Sequence, residues 1–195
     1  MEGRPLLHRW TLARRLLLVL PLILLVACGG GSPPAPPAKA TRIVYTPPTT
    51  GAYLLLLNAG KSTNTHLVLD LLGPVGTAGR GVAFHLSADP GQLIWSKVDT
   101  RDTEYAQSET FRPVIKTKAR SGDLQVGAFL TGNQSSSVTF DRTLVLATVA
   151  LDLAPGATPG MALLRAGDGT AVMLPAVMGS DPLAVTITAG TVTLQ

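Results

Sequence analysis

Two histidines lie downstream of residue 27, His66 and His85, and they are the side chains best suited to hold a metal or move a proton. Each falls on an apolar-alternating stretch, on the side opposite the leucines. They are therefore expected on neighbouring strands, where they could meet across a pair. A metal would need further ligands, with Asp70 one candidate; solvated strand histidines are the plainer expectation. Gly60-Lys61-Ser62 ends like a phosphate loop, but the residue five before Gly60 is Leu55, which leaves no glycine loop to wrap a phosphate. Gly76, Gly79 and Gly81 are spaced in the reverse of a dinucleotide-binding fingerprint. Asp168, between two glycines, and Asp181, before a proline, are turn formers first. No carboxylate pair, Ser-His-Asp order or Gly-x-Ser-x-Gly elbow stands out. The expectation is a chain that is not an enzyme, with no cofactor and no metal.

The remaining reactive group is Cys28, the single cysteine. One cysteine allows no intramolecular disulfide, so stability must come from a core. Ahead of it stand Arg4, Arg9, Arg14 and Arg15, then Leu16 to Ala27, twelve residues without a charge. That run is too short to span a membrane, which takes roughly 20 apolar residues. Pro21 interrupts it. A basic start, a short apolar run and small residues at its end make a secretory signal. Leu25-Val26-Ala27-Cys28 resembles the lipobox of bacterial lipoproteins. The resemblance implies removal of residues 1–27, a diacylglyceryl thioether on Cys28 and a membrane anchor. Gly29, rather than Asp, after the cysteine implies the outer membrane if the host has two. The expected localisation is the cell envelope.

Residues 28–41 read as a tether: glycines for flexibility, then Pro-Pro pairs that favour extended polyproline II. The precursor pI near 9.6 is misleading, because the signal removes four arginines and one glutamate. Residues 28–195 carry 12 basic and 11 acidic residues. No nucleic-acid partner follows from so even a balance.

Residues 42–195 have the size of one domain. Their period is two. Leu67, Leu69 and Leu71 alternate with His66, Val68 and Asp70; Val82, Phe84 and Leu86 alternate with Gly81, Ala83, His85 and Ser87. Leu124, Val126, Ala128 and Leu130 repeat the pattern, as do Val145 to Leu153 and the pairs Val185/Ile187 and Val192/Leu194. Such alternation marks strands with one buried face. Turn signals separate them, including Gly73-Pro74, Asp89-Pro90-Gly91 and Pro155-Gly156. The pattern predicts an all-β sandwich or barrel. Asp99 to Arg120 reads as a long polar loop with one short edge strand around Val114 to Lys116.

Four motifs then fall in a recognisable order. Thr65 to Leu72, a Gly/Pro turn, and Gly81-Val-Ala-Phe-His-Leu-Ser-Ala-Asp-Pro resemble the opening strands of cohesin domains. Asp123 to Phe129 is similar to that family's middle strand, Leu146-Ala-Thr-Val-Ala-Leu to its Leu-Ala-Thr strand, and Ala189-Gly-Thr-Val-Thr-Leu to its last. The resemblance implies a jelly-roll β-sandwich of about nine strands, shared with cellulose-binding modules. An immunoglobulin-like sandwich is the alternative. In cohesins, polar residues early on the strand ending Asp-Pro help to grip a dockerin; here those places fall near Gly81 and Ala83, so a standard dockerin partner is not implied. The small residues instead suggest a flat face of Gly81, Ala83, His85 and Ser87 that takes an envelope protein. A polysaccharide is the alternative ligand, with Trp95, Tyr105 and Phe111 as rings for stacking. A structural role in an envelope or secretion assembly is the third reading.

Overall fold

The computed structural model describes residues 35–96, 111–118, 122–130, 137–167 and 171–195. Tyr105, Cys28, the signal and residues 28–34 of the tether lie outside them. Among the described residues there is no helix and there are fifteen strands, in three sheets.

The largest sheet is built on β4 (Ala78–Ala88), the longest strand. On one side β4 pairs antiparallel with β7 (Asp123–Leu130), from Gly81 opposite Phe129 to Ser87 opposite Asp123. Beyond β7 lies β6 (Phe111–Lys118) at the edge, with Lys118 opposite Asp123. Pro113 is tolerated there because an edge strand can forgo an N–H. On its other side β4 pairs with β11 (Leu164–Ala166) and β12 (Val172–Pro175), and β12 with β13 (Leu183–Ala184). β8 (Val138–Thr139) pairs with the start of β4.

The second sheet has the order β14-β2-β3-β9-β5. Its strands are β2 (Tyr53–Leu57), β3 (His66–Leu72), β5 (Leu93–Trp95), β9 (Val145–Leu153) and β14 (Ile187–Thr188). A third, small sheet joins the two ends of the domain: β15 (Thr191–Leu194) lies between β1 (Ile43–Thr46) and β10 (Gly160–Ala162).

The core follows from the alternation. Val82, Phe84 and Leu86 of β4, with Leu124, Val126 and Ala128 of β7, are buried on one side. Leu67, Leu69, Leu71, Val149 and Leu151 are buried on the facing sheet. Phe140 plugs one end; a Cβ added to Gly73 or Gly79 would stand 2.6 Å from its ring. Tyr45 ties the small sheet to the second: its hydroxyl donates to the Leu55 carbonyl at 2.8 Å and accepts the Gly190 N–H at 2.7 Å. Burial pushes this phenol up to about 12, against the opposing pull of the Gly190 hydrogen bond. Residues Pro37–Gln195 form one compact unit.

Three expectations need correction. The segment read as a loop with a strand at Val114–Lys116 contains an eight-residue edge strand, β6. Strand segments outnumber the nine expected, partly because the chain breaks at Leu163, where it passes from β10 in one sheet to β11 in another. The two histidines do not meet. His66 lies on β3 and His85 on β4, which belong to different sheets, so neighbours in sequence order are not neighbours in space.

Candidate functional site

The outer face of the largest sheet is set by the phase of β4. With Val82, Phe84 and Leu86 turned inward, Gly81, Ala83, His85 and Ser87 must face out. Register supplies their neighbours. Ala83 stands between Val172 and Gly127, Gly81 between Leu174 and Phe129, and Ser87 between Arg165 and Asp123; Gln125 is opposite His85. The candidate face is therefore one continuous surface built from four strands.

It is not bare. A Cβ at Gly81 would lie 2.5 Å from the Phe129 ring, and one at Gly127 would lie 2.7 Å from it. The two glycines make room for that ring to lie along the sheet, half-buried. Phe129 is the residue the sequence reading passed over. Its signal was available, because Leu124, Val126 and Ala128 turned inward require residue 129 to turn outward.

The polar end of the face is a small cluster. Asp123 Oδ1 accepts a hydrogen bond from Ser87 Oγ at 2.8 Å and lies 3.2 Å from His85 Nε2. Both ring and carboxylate are about three-quarters buried. Gln125 and Arg165 beside them are exposed.

The other singled-out residues are dispersed. His66 Nδ1 lies 2.6 Å from Asp152 Oδ1, and Ser96 Oγ donates to Asp152 Oδ2 at 2.7 Å. Ser96 and Asp152 both sit at the Nδ1 side of the ring. That differs from a nucleophile–base–acid relay, in which the hydroxyl and the carboxylate engage opposite ring nitrogens. Asp70 is held by Asn58 Nδ2 at 2.9 Å and Thr148 Oγ1 at 2.7 Å, away from both histidines. Among the described residues no group of three His, Cys, Asp or Glu is placed to hold a metal. Trp95 packs on the core, and its indole N–H donates to the Gly122 carbonyl at 2.7 Å. Phe111 starts β6 opposite Leu130. A concavity of about 350 Å³ lies elsewhere, lined by Met161, Leu163, Thr191 and their neighbours, and holds no titratable group.

No protein-family model matches the sequence, and no curated protein does. Solved structures do match. A type II cohesin domain from the cellulosome of Acetivibrio cellulolyticus aligns at a TM-score of 0.52 and 12% identity, over 74% of this chain and 95% of that one. The type II cohesin dyad from the adaptor ScaA scaffoldin of the same organism aligns at 0.52 and 13%, over 73% of this chain and 48% of that one. A complex of a CaDoc0917 variant with CaCohA2 aligns at 0.51 and 13%, over 81% and 93%. At such identities the likeness is one of architecture: the chain has the cohesin-like β-sandwich fold.

Proposed function

We propose that the domain is a non-catalytic binding module that holds a protein partner on the outer face of β4 and β7. The observation that carries this reading is Phe129, a half-buried ring seated over Gly81 and Gly127 and bordered by Ala83, Val172 and Leu174. A ring with small and aliphatic neighbours is the kind of anchor that concentrates binding energy at an interface. One of the matched structures is itself a complex, that of the CaDoc0917 variant with CaCohA2. That supports protein binding on this fold without naming a partner here.

The proposal includes the anchor. Lipid on Cys28, followed by the Gly/Pro tether of residues 28–41, would hold the module at the cell envelope; two acyl chains suffice for stable attachment. Intact-mass measurement of the membrane fraction should show the lipid, and the Cys28→Ser protein should leave the membrane in carbonate. The binding test is a photocrosslinker at position 83 in the native envelope. It should capture one partner, and Ala83→Arg should abolish capture of that partner by a crosslinker at position 125. Sugar binding abolished by replacing Trp95 or Tyr105, with no protein captured, would favour the polysaccharide reading instead.

A further inference from the structure

The methionines of this domain are sorted by depth. Beyond Met1 the chain has three, Met161, Met173 and Met178. Met173 is 4% exposed, on β12 opposite Val82 of β4. Its sulfur and the Phe140 ring crowd Gly79, where an added Cβ would stand 3.0 Å from the one and 2.6 Å from the other. Met161 is 79% exposed, on β10, an edge strand of the small sheet. Met178 is 57% exposed, in the turn that the Ser180 N–H closes on the Val177 carbonyl. A thioether in water meets oxidants that a buried one does not, and oxidation turns a flexible apolar side chain into a polar one. We propose that Met161 and Met178 are sites of reversible oxidation, each taking an oxygen atom from a peroxide, and that the fold shields Met173.

In that step a sulfur lone pair attacks one oxygen of hydrogen peroxide. The S–O bond forms as the O–O bond breaks, and the proton on the transferred oxygen passes to the departing hydroxide, which leaves as water. Sulfur gives up two electrons and the peroxide takes them. Methionine sulfoxide reductases return the thioether. The consequence differs with place. At Met161 the new oxygen enters the wall of the concavity of about 350 Å³ that Leu163, Leu164 and Val192 also line. That wall holds no titratable group, so the sulfoxide sets a strong hydrogen-bond acceptor on a mostly apolar surface. At Met173 the same oxygen would lie in the core beside Val82 and Phe140, where an unmet acceptor is costly. Neither exposed methionine belongs to β4 or β7, so the inference is independent of the protein-binding reading.

The test treats the purified full-length chain, in neutral detergent, with hydrogen peroxide, stops it with catalase at intervals and locates the added oxygen by peptide mass spectrometry. Met161 and Met178 should react on the order of tenfold faster than Met173, whose oxidation has to wait for the fold to open. In concentrated urea the three rates should converge. With both exposed sulfurs oxidised, the urea midpoint should match that of the untreated protein, and the sulfoxide reductases A and B together should restore the original mass. In methyl NMR spectra Leu163, Leu164 and Val192 should shift on oxidation of the unaltered protein and of Met178→Leu, but not of Met161→Leu. Equal rates for all three methionines in the folded protein would overturn the proposal. So would resistance of Met161 or Met178 to peroxide, or a fall in stability once those two are oxidised. Methyl shifts that persist in oxidised Met161→Leu would overturn the assignment of its sulfoxide to the concavity.

Discussion

The two large sheets of this domain treat their faces differently. In the five-stranded sheet the leucines of β3 are buried, and so are residues of the opposite phase: Val68 of β3 and Thr148 and Ala150 of β9 are fully buried. Polar atoms on that set are tied down, with Thr148 and Asn58 both donating to Asp70. In the seven-stranded sheet one face is core, and the other shows Ala83, Gln125, Arg165 and the edge of Phe129 to solvent. Strands of similar alternation thus end up in a closed sheet and an open one. The open one is where a partner has something left to cover.

The largest effects should separate the two sides of the seven-stranded sheet. Phe84→Ala removes a buried ring and should cost about 3–5 kcal/mol. Phe129→Ala, on the open face, should cost about 1 kcal/mol. Equal costs in urea denaturation would erase the distinction. Next comes Tyr45, at the closed end. Its native phenol is raised to about 12 from an ordinary 10, so the unfolded chain ionises first. The stability this contributes is full below pH 10 and lost as pH rises towards 12, by about 2–3 kcal/mol. Urea midpoints followed through that window should drop for the unaltered protein and drop less for Tyr45→Phe. Two hydroxyl–aspartate bonds then give a matched pair. Thr148→Val, in the closed sheet, should cost about 1–2 kcal/mol, whereas Ser87→Ala, on the open face, should cost less than half of that. Last, Ala83→Arg should stay within about 0.5 kcal/mol of the unaltered protein. A larger loss would mean that residue 83 is not open.

Much of this architecture was legible because burial enforces the period of two. The inward sets of β3, β4, β7 and β9 are the alternating residues of the sequence, and the turn residues separate them. What escaped has particular causes. β6 was shortened because Arg112, Pro113, Lys116 and Lys118 mask its alternation, as an edge strand permits. The histidines were misplaced because a sandwich chain crosses between sheets, and alternation carries no information about which sheet receives a strand. Phe129 was assigned to the strand but not to its outer face, although the phase of Leu124, Val126 and Ala128 fixes it. The space it needs, over Gly81 and Gly127, arises only from pairing β4 with β7, which no single strand reveals.

The small sheet has a mechanical consequence. β1 is the first strand after Ala40, and it pairs over four residues with β15, the last strand, which β10 holds on its other side. A pull on the chain at Ala40 along the strand axis would slide β1 past β15. All four register pairs would be stressed together, where a sideways pull would peel them one at a time. The Tyr45 hydroxyl, bonded to both Gly190 and Leu55, acts as a pin across that sliding plane. Tension arriving from the N-terminal side is thus resisted in shear by β1 and β15, strands separate from those that form the open face.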